Sequence, residues 1–230
     1  MPTLLFISSL VAMETVLIVW LSLREPVGPI LVVHVNMVLI ALFAPALIEV
    51  YGHVTNVGNI FYAAATCAQV ILLAQHGPEV ALISIKRVNV LLIGVFVLGA
   101  GLERMPVLPG NEPFMDAMRV IVHHSLSIVT ASFAAFFLSQ AVLIRAWERL
   151  SAHHGPVVAG VLASCLCQAV DSPVFFAIAF WDQMPLAQLA DAASTGFLLK
   201  SALAVAFVPA FVGAVYGPEL MRRLISDPVP

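Results

Sequence analysis

A single carboxylate stands inside an otherwise uncharged stretch. Residues 155–181, GPVVAGVLASCLCQAVDSPVFFAIAFW, carry Asp171 as their one charged side chain. About 20 apolar residues span the hydrocarbon of a bilayer, so a run of this length places Asp171 near mid-membrane. A charge at that depth is costly and points to a function with a partner to be found. Ser164, Cys167, Gln168 and Asp171 follow the spacing i, i+3, i+4, i+7 and share one helix face, which must look at protein or a cavity. Pro173 removes the backbone donor to the carbonyl of Ala169 and is expected to kink the helix beside the acid.

The counter-charge is Lys200, in TGFLLKSALAVAFVPAF. A hairpin turning near residues 183–185 leaves Asp171 and Lys200 at depths of about 20 and 24 Å, counted at 1.5 Å per helical residue. They can meet. The pair is read either as a permanent salt bridge that fixes the hairpin or as a site that also meets a substrate or takes part in gating. SQAVL at 139–143 echoes CQAVD at 167–171, so Gln140 and Gln168 are candidates for hydrogen bonding a polar ligand from neighbouring helices. Glu14, in the first apolar run, is open between a buried structural pair and a place in a proton or substrate path. His34 and Asn36 are expected to bond helix to helix. Asn59, after Gly58, suits a helix start as a cap.

The elements that must carry these residues are transmembrane helices. Of 230 residues, 61% are hydrophobic and 10% charged, with a mean hydropathy of +1.03, whereas a soluble domain carries about a quarter charged residues. Seven helices are predicted, at residues 4–23, 29–50, 57–75, 86–102, 115–147, 156–181 and 188–216, in a single all-α polytopic bundle over 1–230. Arg24, Lys86, Arg87, Arg145, Arg149, Arg222 and Arg223 follow the odd-numbered helices. Arg104 and Arg119 lie on the other side. This puts the N-terminus outside and the C-terminus in the cytoplasm. The first run lacks a basic leader and is long enough to span, so no signal peptide is expected. His76-Gly77-Pro78 breaks the chain before the fourth helix. The Pro-rich stretch 103–113 is expected as an outer connector, and His123 with His124 as interfacial packing. Cys67, Cys165 and Cys167 fall inside helices, so neither disulfides nor a metal site is expected, and no cofactor.

Four segments resemble one family when taken in order. They are GNIFYA (58–63) ending in the His76-Gly77 turn, SFAAFFLSQ (132–140), CQAVDSPVFFAIAF (167–180), and Lys200 with Pro209 nine residues on. Together they resemble the VUT family of vitamin uptake transporters, whose better-known branch carries queuosine precursors, over roughly residues 58–216. The family usually has acids at positions that fall here at Val70, Ala74 and Leu143; those are absent, while Asn59, Gln140, Gln168, Asp171 and Lys200 remain.

The resemblance implies an importer of the inner membrane, its substrate site formed by those five residues among the third, fifth, sixth and seventh helices. Queuosine precursors are planar deazaguanines with a guanidine-like donor edge, which a carboxylate accepts in two hydrogen bonds while Gln amides donate and accept alongside. Phe136, Phe137, Phe175 and Phe176 lie within a turn or two and either stack on such a ring or simply pack. Another vitamin-like or nucleobase-like compound is the alternative substrate, and a non-transporting scaffold the alternative role. No P-loop is present, so transport is facilitated, coupled to an ion through Glu14 or Asp171, or driven by a separate energising module; a homo-oligomer is equally open. An enzyme is not expected, for there is no HExxH or GxSxG, and Ser164 with Asp171 lacks an intramembrane His as base. The partners expected are a small planar heterocycle and the lipid bilayer, not nucleic acid.

Overall fold

A computed structural model describes residues 2–24, 27–43, 46–50, 52–104, 110–113, 115–116 and 125–226. Its elements run α1 (Pro2–Arg24), α2 (Gly28–Phe43), β1 (Leu47–Val50), β2 (His53–Asn56), α3 (Gly58–Glu103), α4 (Ser125–Ser151), α5 (Pro156–Phe180), α6 (Leu186–Ala206) and α7 (Val208–Ser226). The architecture is that of an all-α membrane bundle. Segments Thr3–Arg24, Gly58–Gly94, Thr130–Ser151, Pro156–Phe180 and Leu186–Glu219 are long and apolar enough to cross a membrane, and Gly28–Phe43 is a shorter apolar helix. Leu5, Val16 and Trp20 on α1, Val90 and Leu98 on α3, and Leu198 on α6 are exposed, as side chains facing lipid should be.

The first arm of α3 is the axis of the bundle. Every residue from Gly58 to Leu73 is buried, because α2, α4, α5, α6 and α7 pack around it. Ala63, Ala64, Ala65 and Ala68 permit that crowding, since small side chains let helices approach closely. At Gly77 the backbone leaves the helix, with φ 80° and ψ 178°, a conformation glycine adopts without a Cβ penalty. The chain folds back there: Gln69 Nε2 donates to the Ala81 carbonyl at 2.8 Å, although residues twelve apart in a straight helix stand about 18 Å apart. The expected third and fourth helices are thus two arms of α3. The second arm begins at Pro78, not near residue 86, since proline is well suited to a first helical turn.

Two further expectations need correction. The second helix does not run to residue 50: it ends at Phe43, and Leu47–Val50 pairs antiparallel with His53–Asn56 in a hairpin. Gly52, at φ 83°, makes the tight turn, and the β-branched Ile48, Val50, Val54 and Thr55 suit a ladder. The seventh helix divides at Phe207 (φ −84°, ψ 1°) into α6 and α7. Pro209 lacks the N–H that would continue the ladder across this point. By contrast α5 runs unbroken in secondary structure through Pro173. The outer part of the expected fifth helix, with Arg119, His123 and His124, and residues 105–109 of the expected connector lie outside the described residues.

Candidate functional site

α5 and α6 form the expected hairpin, turning through residues 181–185, and bring their two intramembrane charges together. Lys200 Nζ donates to Asp171 Oδ2 at 2.5 Å, with both side chains almost wholly buried. The ammonium has two further neighbours, Ser172 Oγ at 3.3 Å and the ring of Tyr62, whose centroid lies 4.6 Å away. An ammonium has three N–H donors, and here each has an acceptor: a carboxylate, a hydroxyl and a π face.

The second carboxylate oxygen is less engaged. Asp171 Oδ1 has Ser139 Oγ at 3.4 Å, and Ser139 Oγ in turn lies 2.6 Å from the Tyr62 hydroxyl. A serine carries one proton, so a Ser139 that donates to Asp171 accepts from Tyr62. The nearer acceptor of Ser139 is the Phe136 carbonyl of its own helix, at 3.1 Å, so Ser139 is a polar junction of α3, α4 and α5 whose contact with Asp171 is the weaker of its two donations. The echo between residues 139–143 and 167–171 has a spatial meaning here: Ser139 and Cys167 occupy its equivalent first positions and both approach the Tyr62 hydroxyl, Cys167 Sγ at 3.9 Å.

This cluster is the wall of a cleft of ≈ 330 Å³, counting the space at its mouth. Asp171 and Phe175 of α5, Lys200 of α6, Asn59 and Tyr62 of α3 and Ser132 of α4 line it. Met37 and Ile40 of α2 and Asn56 of β2 complete it. The hairpin therefore reaches the site. Asn56 Oδ1 accepts from the Asn59 N–H at 3.0 Å, and Asn59 Nδ2 donates to Thr55 Oγ1 at 2.7 Å. Asn59 is not itself the cap of its helix: Asn56 caps it, which leaves the Asn59 side chain turned to the hairpin and the cleft.

Of the five candidate site residues, the structure gathers Asn59, Asp171 and Lys200 at the cleft. Gln140 and Gln168 are fully buried one turn away. Gln140 Nε2 approaches Cys167 Sγ at 3.9 Å, and Gln168 Nε2 approaches Thr66 Oγ1 at 3.4 Å. The Oε1 atoms of both are without a hydrogen-bond partner among the described residues. Glu14 is elsewhere: it is buried against α2, where Asn36 Nδ2 donates to its Oε2 at 3.1 Å. Among the described residues His34 bonds within its own helix, to the Ile30 carbonyl, and not to a neighbouring one as expected. Among the four phenylalanines, Phe175 lines the cleft, Phe136 and Phe176 are packed in the core, and Phe137 faces outward.

Tyr62 is the residue that sequence reasoning missed. Asn59, Tyr62 and Thr66 follow i, i+3, i+7 on α3, the same polar stripe that singled out Asp171 on α5. An aromatic inside an alanine-rich helix reads as packing, and that masked it.

The family described as "Putative vitamin uptake transporter" matches this chain over residues 37–214. The chain belongs to that family. No curated protein and no solved structure matches it. For this VUT-family member the match covers the whole cleft and leaves out α1 and the Glu14–Asn36 pair. Val70 and Leu143 are buried aliphatic positions and Ala74 is half-buried. With its membrane-spanning helices, the protein is a multi-pass membrane protein of a transporter family.

Proposed function

We propose that the protein imports a small planar heterocycle, of the deazaguanine type carried by queuosine precursor transporters, across the inner membrane, with its N-terminus outside and its C-terminus in the cytoplasm. The observation that carries this reading is the buried Asp171–Lys200 pair set in the wall of an open, largely apolar cleft. Asp171 Oδ1 has one long contact and retains capacity for a donor edge. Asn59 Nδ2 gives one N–H to Thr55 and has a second for a ring carbonyl, and Phe175 offers a face for stacking. Gln140 and Gln168, with unpaired Oε1 atoms one turn deeper, accept from the ring as it moves inward.

For ion coupling we assign Glu14. Asp171 has Lys200 as a standing counter-charge, whereas Glu14 faces an amide and can gain or lose a proton without breaking an ion pair. The substrate reading is tested by thermal-shift measurement of the purified protein against deazaguanines, other nucleobases, pterins and vitamins, with Asp171→Asn as control. Stabilisation by one class that is lost in the variant supports it. Identical melting with every compound overturns it in favour of a scaffold.

A further inference from the structure

A second cleft, of ≈ 320 Å³ counting the space at its mouth, lies toward the other end of the same helices. It is built from the helices that form the first. α3 gives Tyr62 to the first cleft and Cys67 and Val70 to the second; α5 gives Asp171 and then Ser164 and Gly160; α6 gives Lys200 and then Ala204 and Phe207. At 1.5 Å per residue these steps are about 7, 10 and 6 Å along the three axes. The clefts are offset along the axes, and on α3 they are also turned, since Ala63, next to Tyr62, lines the second; α4 reaches the first and not the second.

Thr66 and Gln168 lie between the two sets of lining residues, and Gln168 Nε2 reaches Thr66 Oγ1 at 3.4 Å. That is a long hydrogen bond, past the usual N–H···O range. Gln168 Oε1 beside it is buried and unpaired among the described residues, which is costly unless something passing supplies a donor. The second cleft also sits at the junction of α6 and α7. Phe207, where the helix breaks, is in its wall, and Cys67 Sγ approaches the Phe207 carbonyl at 3.9 Å.

The geometry points to the second cleft as an inner station of the transport path, which takes the same planar ring after it leaves Asp171 and Lys200, with the Thr66–Gln168 contact as the barrier between the two. This rests on the transport reading above. No charged side chain lines the inner cleft; its walls are aliphatic and aromatic, with the Ser164 hydroxyl and the Cys67 thiol as exceptions. A heterocycle is held there by its faces and at most a hydroxyl, more weakly than at the ion pair. Weak holding at the second of two stations favours release.

Two substitutions fill the inner cleft from different helices, Val70→Phe and Ala204→Phe. Each is assayed in purified protein for binding of 7-deazaguanine and in vesicles for its uptake, with melting curves to establish folding. The expected result is retained binding with uptake lost. Retained binding with unchanged uptake in both overturns the inner station. Absence of binding by the unsubstituted protein is a separate failure, that of the transport reading, and it takes the inner station with it. A third variant needs no bulk: Val161→Cys, in the wall of the inner cleft, is labelled by a charged methanethiosulfonate in inside-out vesicles and not in right-side-out ones, by peptide mass spectrometry. Equal labelling from both sides, or from neither, overturns the proposal even where the bulky variants do not fold.

Discussion

Lys200 lies over the face of Tyr62, 4.6 Å from the ring centroid, while its ammonium is bound to Asp171. The tyrosine thus meets the ion pair through its ring beneath the cation, while its hydroxyl holds Ser139, which divides its one proton between the Phe136 carbonyl and the carboxylate. The two roles separate by mutation. Tyr62→Phe keeps the ring and loses the hydroxyl; Tyr62→Leu loses both. A desolvated cation over a ring is worth up to about 2 kcal/mol, so Tyr62→Leu melts at the lower temperature and binds substrate more weakly. Equal effects of the two would place the whole contribution in the hydroxyl.

Breaking the pair from one side is worse than removing it. Asp171→Asn or Lys200→Met leaves a buried charge alone and costs about 3–5 kcal/mol. The double variant leaves none and recovers part of the loss in a detergent melting curve, although neither single nor double variant binds substrate. A double variant that melts at the sum of the two single shifts would show that the charges do not interact.

Gly196 sets how closely α6 approaches the site. A Cβ there would stand 2.9 Å from Phe176 Cε2 and 3.6 Å from both Asn59 Nδ2 and Ser172 Oγ. Gly196→Ala pushes α6 outward one turn from Lys200, at the roughly 1–3 kcal/mol that overpacking costs, and weakens binding along with stability. Gly94→Ala, whose Cβ would meet nothing within 4 Å, serves as the control and leaves both unchanged.

Glu14→Gln keeps an acceptor for Asn36 Nδ2 and removes the titratable proton. Uptake in this variant loses its dependence on external pH, while binding at the distant cleft stays as it was. A pH profile identical to that of the unsubstituted protein takes Glu14 out of the coupling scheme.

The exposed His53–Asp191 contact, at 3.2 Å, ties β2 to α6. Surface ion pairs contribute about 0–1 kcal/mol, so Asp191→Ala changes the melting temperature little. A large drop would mean that the hairpin depends on this tether and not on the Asn56 and Thr55 contacts at its base.

The helical bundle was legible because lipid enforces a strong rule: long apolar runs must be helices, and a charge inside one needs a partner. Asp171 and Lys200 declared themselves in this way. The hairpin did not, since LIEV extends the apolar run of α2, the polar HVTN reads as a connector, and only Gly52 marks the turn. Depth along a helix was legible and rotation among neighbours was not. That is why Gln140 and Gln168 sit behind the cleft wall while Tyr62, Ser132 and Asn56 take part in it. The start of the second arm of α3 was misplaced because Lys86 and Arg87 read as an end, whereas the structure exposes both on a helix that began at Pro78.

Between Asn56 and Gly58 there is a single residue, so the hairpin leaves almost no slack between the strand that borders the cleft and the helix that carries Tyr62. Its register is held by four pairs, from Leu47–Asn56 to Val50–His53. The mouth of the cleft is therefore braced on this side, and α2 must travel with the first arm of α3. The departures from regular helix at Gly77 and Phe207 lie toward the other end of these helices. A body braced at its mouth and jointed at its base yields only below the first cleft: the strands hold the rim still, and any bend falls on the far side of the ion pair.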